Sequence, residues 1–147
     1  VIRSVDFASQ AEAELLPGCP FQMDVAMISI ATPGGFEPAL LADFKHILKL
    51  EFHDVEDGAD PWVVFDDKHA SQVIEFVKRL HGADEEWDVI VHCKAGLSRS
   101  PAVALCVAEA TGCAFPRRQE AVEANRLVLK VLSAASGLTL VRPEAVA

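Results

Sequence analysis

At 147 residues, 51 % of them hydrophobic and 24 % charged, the chain suits one globular domain with a single core, expected to span residues 1–147. Its formal net charge of −9 argues against a broad face for nucleic acid or anionic lipid. No apolar run approaches the length needed to cross a bilayer, so the expectation is a soluble, cytoplasmic protein with no nucleic-acid partner and no stable membrane association.

Val1–Val5 is β-branched and reads as a first strand, and Asp6–Leu16 as a helix stopped by Pro17-Gly18. Met23–Thr32 reads as a buried strand ended by Pro33-Gly34-Gly35, followed by a short helix over Glu37–Phe44. His46–Val55 alternates apolar and polar residues as a strand does, and the acidic stretch His53–Asp67, with Gly58 and Pro61, reads as a loop. His69–His81 places Val73, Ile74, Phe76, Val77 and Leu80 on one helical face, with Gly82 as its cap. Trp87–His92 is a short apolar strand of the kind buried in a parallel sheet. Ser98–Thr111 follows as a helix apolar almost all round. Pro116–Val131 reads as a further helix with Leu127, Val128, Val131 and Leu132 as its stripe, and the tail after Gly137 as a loop. Strands alternating with helices, and helices gathering at the end, predict an α/β fold with a mostly parallel central sheet flanked by helices.

The four cysteines, Cys19, Cys93, Cys106 and Cys113, form no CxxC pair and read as reduced thiols, not as a disulfide frame or a zinc site. DVEDG in the acidic stretch lacks the ligand spacing of a calcium loop. The histidines show no metal-ligand pattern, and no metal or cofactor is expected.

The sharpest pattern is VHCKAGLSRSP, Val91 to Pro101, where a buried strand turns into a buried helix. Ser98 can cap that helix, and Pro101 falls in its first turn, where a missing N–H costs nothing. A helix start offers free N–H groups and the positive end of a dipole, and Gly96 can take the backbone angle that curls further amides inward. Lys94, Ala95, Gly96, Leu97 and Ser98 thus form an anion cradle, and Arg99 adds a planar fork matched to two phosphate oxygens. Cys93 opens the cradle, and the field that holds phosphate also favours thiolate.

His92-Cys93, Gly96 and Arg99-Ser100 reproduce HCxxGxxRS, and Ala95 to Ser100 the AGxSRS form. The chain therefore resembles the protein tyrosine phosphatase superfamily, and within it the compact dual-specificity branch. The likeness is tight in this loop and looser from the His46 strand through Gly112. Low-molecular-weight tyrosine phosphatases carry their cysteine loop near the N-terminus, and rhodanese-fold phosphatases lack AGxSRS.

The resemblance implies a tyrosine-phosphatase-like domain that hydrolyses phosphotyrosine, and also phosphoserine or phosphothreonine, through a phosphocysteine intermediate. Its substrate partner is a phosphorylated protein or a small phosphate ester. Cys93 is then the nucleophile, Arg99 the phosphate-gripping residue, and Ser100 the group that eases sulfur departure. His92 would orient the loop, although a core histidine at a strand end is the other reading. The family also needs an aspartate to protonate the leaving oxygen. Asp54, Asp57 and Asp60 are the candidates, and Asp54 is favoured because LEFHDV carries it to the sheet edge where the cradle lies. Lys94 in CKAG is also seen in phosphoinositide phosphatases, but Leu97 stands where those enzymes carry a second lysine. A phosphoinositide or other small phosphate-ester phosphatase and a catalytically silent phosphate-binding module remain the rival readings. The chain has no tyrosine, so Trp62 or Phe65 is the candidate aromatic wall for the substrate.

Overall fold

Parallel strands position everything else. The computed structural model describes residues 1–17, 24–58 and 61–145. Among these, β1 (Ile2–Ser9), β2 (Val25–Ala31), β3 (Ile47–Glu51) and β4 (Trp87–Cys93) form one four-stranded sheet in the order β1-β4-β2-β3. Every pairing is parallel, so the fold is α/β with an all-parallel sheet. The register aligns Ser9 with Cys93 and Ser29 with His92, which brings the ends of three strands to the same edge.

Period-2 alternation assigns the two faces. Ala26, Ile28 and Ile30 of β2, with Val89 and Val91 of β4, face the large core. Met27 points the other way, into a smaller cluster with Ala13, Ala42 and Phe44. Three helices lie on the large-core side: α2 (Asp67–His81) and α3 (Arg99–Thr111) meet the strands, and α4 (Arg126–Ser136) packs on both of them. α2 buries Ala70, Val73, Phe76, Val77 and Leu80, the stripe read from its sequence, and starts on a capping box between Asp66 and His69. α3 is buried continuously from Arg99 to Ala108, as its all-round apolar sequence requires. Its larger buried apolar side chains, Val103, Leu105 and Val107, each contribute about 1.5–3 kcal/mol of apolar burial.

Several expected boundaries move. The first strand runs on to Ser9, leaving α1 only Gln10–Glu14, because Phe7 is needed in the core and Asp6 pairs with Arg117 across 3.2 Å. Ser9 then caps α1 in a box with Glu12. The helix expected over Glu37–Phe44 does not form. Glu14 draws the Ala39 N–H to 2.6 Å, and Ala42 and Phe44 insert against Met27; the few bonds of so short a helix do not outweigh those contacts. The third strand is shorter than His46–Val55, and the second begins at Val25; its expected start, Met23, lies outside the described residues. The expected Pro116–Val131 helix is broken: a 3-10 turn spans Arg118–Glu120, Ala121 and Ala124 are buried, and α4 begins afresh after Asn125. Among the described residues, no helix is long and apolar enough to cross a membrane.

Candidate active site

β4, one of the two inner strands, ends at Cys93, and α3 begins at Arg99; the loop between them sits at the edge where ligand sites of parallel sheets lie. Cys93 Sγ lies 3.1 Å from Ser100 Oγ and accepts a hydrogen bond of 3.2 Å from the Gly96 N–H. The loop therefore curls back over its first residue and directs a backbone donor at the sulfur.

Gly96 has φ +71°, and a Cβ there would stand 2.5 Å from Ser9 N and 2.7 Å from the Ala8 carbonyl carbon. Backbone angle and space both demand glycine. The start of α1 backs the loop as well, through the Gln10 N–H, which donates to the Lys94 carbonyl across 3.3 Å.

Arg99 is buried, and its Nη1 donates to the Phe52 carbonyl at 2.7 Å, with the guanidinium 6.0 Å from the Phe52 ring centroid. Phe52 is itself fixed just beyond β3 by its N–H, which donates to the Ala31 carbonyl across 3.2 Å. Burying a guanidinium carries a desolvation cost, which the bond to the Phe52 carbonyl offsets in part, and the fork keeps further N–H donors that can meet an anion.

His92 is fully buried at the preceding position, on the opposite face of β4. Its Nε2 lies 2.6 Å from Ser29 Oγ. Its Nδ1 has no partner of hydrogen-bonding geometry among the described residues. Burial holds the imidazole below its ordinary value of 6.5, against the opposing pull of the Cys93 backbone.

Of the three candidate aspartates, only Asp54 is tied to the loop by a hydrogen bond among the described residues. Its Oδ1 accepts from Ser98 Oγ at 2.7 Å and from Asn125 Nδ2 at 2.9 Å. Asp57 is exposed and makes no such bond, and Asp60 lies outside the described residues. Ser98 stands at the N-cap position of α3 but makes no capping bond, contrary to expectation, because its hydroxyl goes to Asp54 instead.

The aromatic candidates separate. Trp62 is 50 % exposed and lies edge-on to His53 at 5.1 Å, whereas Phe65 is 2 % exposed and packs on Phe52 at 4.9 Å. Phe65 is therefore core, not a substrate wall. On the other side of the loop, Lys94, Gln10, Thr32, Gly35 and the exposed Phe36 line a cavity of about 240 Å³. Three further groups escaped the sequence reading: Asn125, Ser29 and the Phe52 carbonyl. Only Asn125 had a usable signal, since an Asn ahead of the Leu127–Leu132 stripe is an N-cap signature.

Of the other thiols, Cys106 is buried in α3 and burial pushes it up to about 12, while Cys113 is partly buried and also raised; both are free. Cys19 lies outside the described residues. No protein-family model matches the chain, and no curated protein matches it either.

Proposed function

We propose that the chain is a cysteine-dependent phosphatase acting on phosphomonoesters of the phosphotyrosine and phosphoserine/threonine type. The observation that carries this reading is the convergence of three chemically distinct groups on one loop. These are a sulfur receiving a backbone N–H, a buried guanidinium, and a carboxylate hydrogen-bonded to Ser98. A silent phosphate-binding module needs the second of these but has no use for the first or the third.

In the first step the Cys93 thiolate attacks phosphorus. The S–P bond forms as the ester P–O bond breaks, and Asp54 gives its proton to the departing oxygen. Arg99 and the amides from Lys94 to Ser98 hold the three equatorial oxygens, where charge is spread in the transition state. In the second step Asp54, now ionised, takes a proton from the attacking water. Phosphorus passes to that oxygen, and the S–P bond breaks to return the thiolate. Ser100 Oγ, 3.1 Å from the sulfur, donates to it as negative charge returns. Phosphate leaves, and neither step draws on a metal ion.

The test is hydrolysis of p-nitrophenyl phosphate in the presence of chelator, with a phosphotyrosine and a phosphothreonine peptide alongside. Turnover is expected in the wild type and none in Cys93→Ser. Phosphate or vanadate binding without turnover would point to a binding module, and turnover of inositol phosphates in preference to both peptides to the small-ester reading.

A further inference from the structure

Resting on the reading of Asp54 as the acid, we propose that Asn125, assisted by Ser98, is its positioning residue, and that the pair selects Oδ2 as the oxygen that carries the proton. Asn125 is 1 % exposed and begins α4. Its Oδ1 accepts from the Val128 N–H at 3.0 Å, which fixes the orientation of the amide and turns Nδ2 toward the acid loop. Nδ2 donates to Asp54 Oδ1 at 2.9 Å and to the Val55 carbonyl at 3.2 Å.

The next residue adds a further tie: the Arg126 N–H donates to Glu56 Oε2 at 2.7 Å. The phosphate loop is stitched to the same point, since the Asn125 N–H donates to the Ser98 carbonyl at 3.0 Å. One residue at a helix start thus joins the acid loop and α4 through its side chain and the phosphate loop through its backbone N–H.

The two donors on Asp54 fall on the same oxygen. Oδ1 accepts from both Ser98 and Asn125, whereas Oδ2 has no hydrogen-bond partner among the described residues. In the protonated acid, Oδ1 acts as the carbonyl oxygen that accepts both bonds, so the proton sits on Oδ2 and is free to move to the leaving group. An exposed aspartate would otherwise spread over several rotamers; held this way, it meets the substrate already oriented.

A leaving-group comparison tests this, because only a poor leaving group needs a proton in the transition state. Wild type, Asn125→Ser and Ser98→Ala are assayed on phenyl phosphate and on 2,4-dinitrophenyl phosphate, each also in an Asp54→Asn background. Serine at position 125 keeps the acceptor that caps α4 but cannot reach Asp54; Ser98→Ala leaves that cap untouched.

The expected result is a loss of kcat/KM, which reports the step that expels the leaving group, about tenfold larger on phenyl phosphate than on the dinitrophenyl ester. The excess should disappear once Asp54 is already Asn. Equal losses on both esters, or an undiminished loss in the Asp54→Asn background, would overturn the proposal and leave Asn125 a structural cap. If the wild type turns over neither ester, the phosphatase reading fails and this inference fails with it.

Discussion

Cys93, Gly96, Arg99 and Ser100 come from one short run of chain, whereas Asp54 reaches the same place from 44 residues before Ser98 and is held by Asn125 from 71 residues beyond. The first group is mostly buried and backed by the sheet, and its geometry follows from a strand ending where a helix begins. The second places an exposed carboxylate on side-chain hydrogen bonds between elements that do not adjoin in sequence. Two parts of one site are thus stabilised by different forces, and substitutions should affect them differently.

The largest effect is expected where backbone and packing leave no slack. In Gly96→Ala the new Cβ meets backbone of Ala8 and Ser9 at under 3 Å and sits at a φ of +71°. The loop must open, and kcat/KM should fall by about 10²–10³, the scale of losing an oxyanion donor. Steady-state kinetics on p-nitrophenyl phosphate measures it; a loss below about tenfold would mean that the loop tolerates opening and that its rigidity is overstated.

The acid loop should respond more selectively. Asp54→Asn is expected to lower kcat at neutral pH by about 10²-fold, within the usual range for a general acid. Asp57→Asn, on an exposed carboxylate without a bond to the loop, should change kcat by less than about twofold. A reversal of that order would move the acid to Asp57 and remove the functional meaning of the Ser98 and Asn125 contacts.

The smallest effect concerns stability, behind the loop. His92 is buried with its pKa held below 6.5, so the unfolded chain takes up a proton on acidification before the native protein does. The stability that His92 contributes is complete above 6.5 and is lost as pH falls below it. His92→Gln, whose amide can still reach Ser29, should therefore lose less stability than wild type between pH 7.5 and pH 5. Urea unfolding at the two pH values is the measurement. His46, also held low by burial, contributes the same slope to both proteins and cancels in the comparison. Parallel curves would show that His92 does not titrate differently in the two states.

The apolar periodicity of α2, the unbroken apolar face of α3 and the short apolar run of β4 were legible because each is a local pattern whose burial is forced by its own composition. The Glu37–Phe44 helix was misread because a local helical preference is weak and a tertiary contact, the Glu14 carboxylate on the Ala39 N–H, competes directly with helical hydrogen bonding. The long helix drawn through Asn125 failed for a related reason. Pattern alone does not say where a buried Ala121 and Ala124 must turn the chain, although Asn125 carried a capping signal.

By itself the sequence determined the alternation of strands and helices, the site of the cysteine loop and the glycine that allows it to curl. Those depend on neighbours in the chain, through backbone angles and the period of apolar residues. Only the tertiary structure decided that Asp54 and not Asp57 bonds to the loop, that Ser98 serves it instead of capping α3, and that Phe65 is core while Trp62 is exposed. Those outcomes depend on which side chains the parallel sheet and its helices bring within hydrogen-bonding distance, and spacing along the chain does not encode that distance.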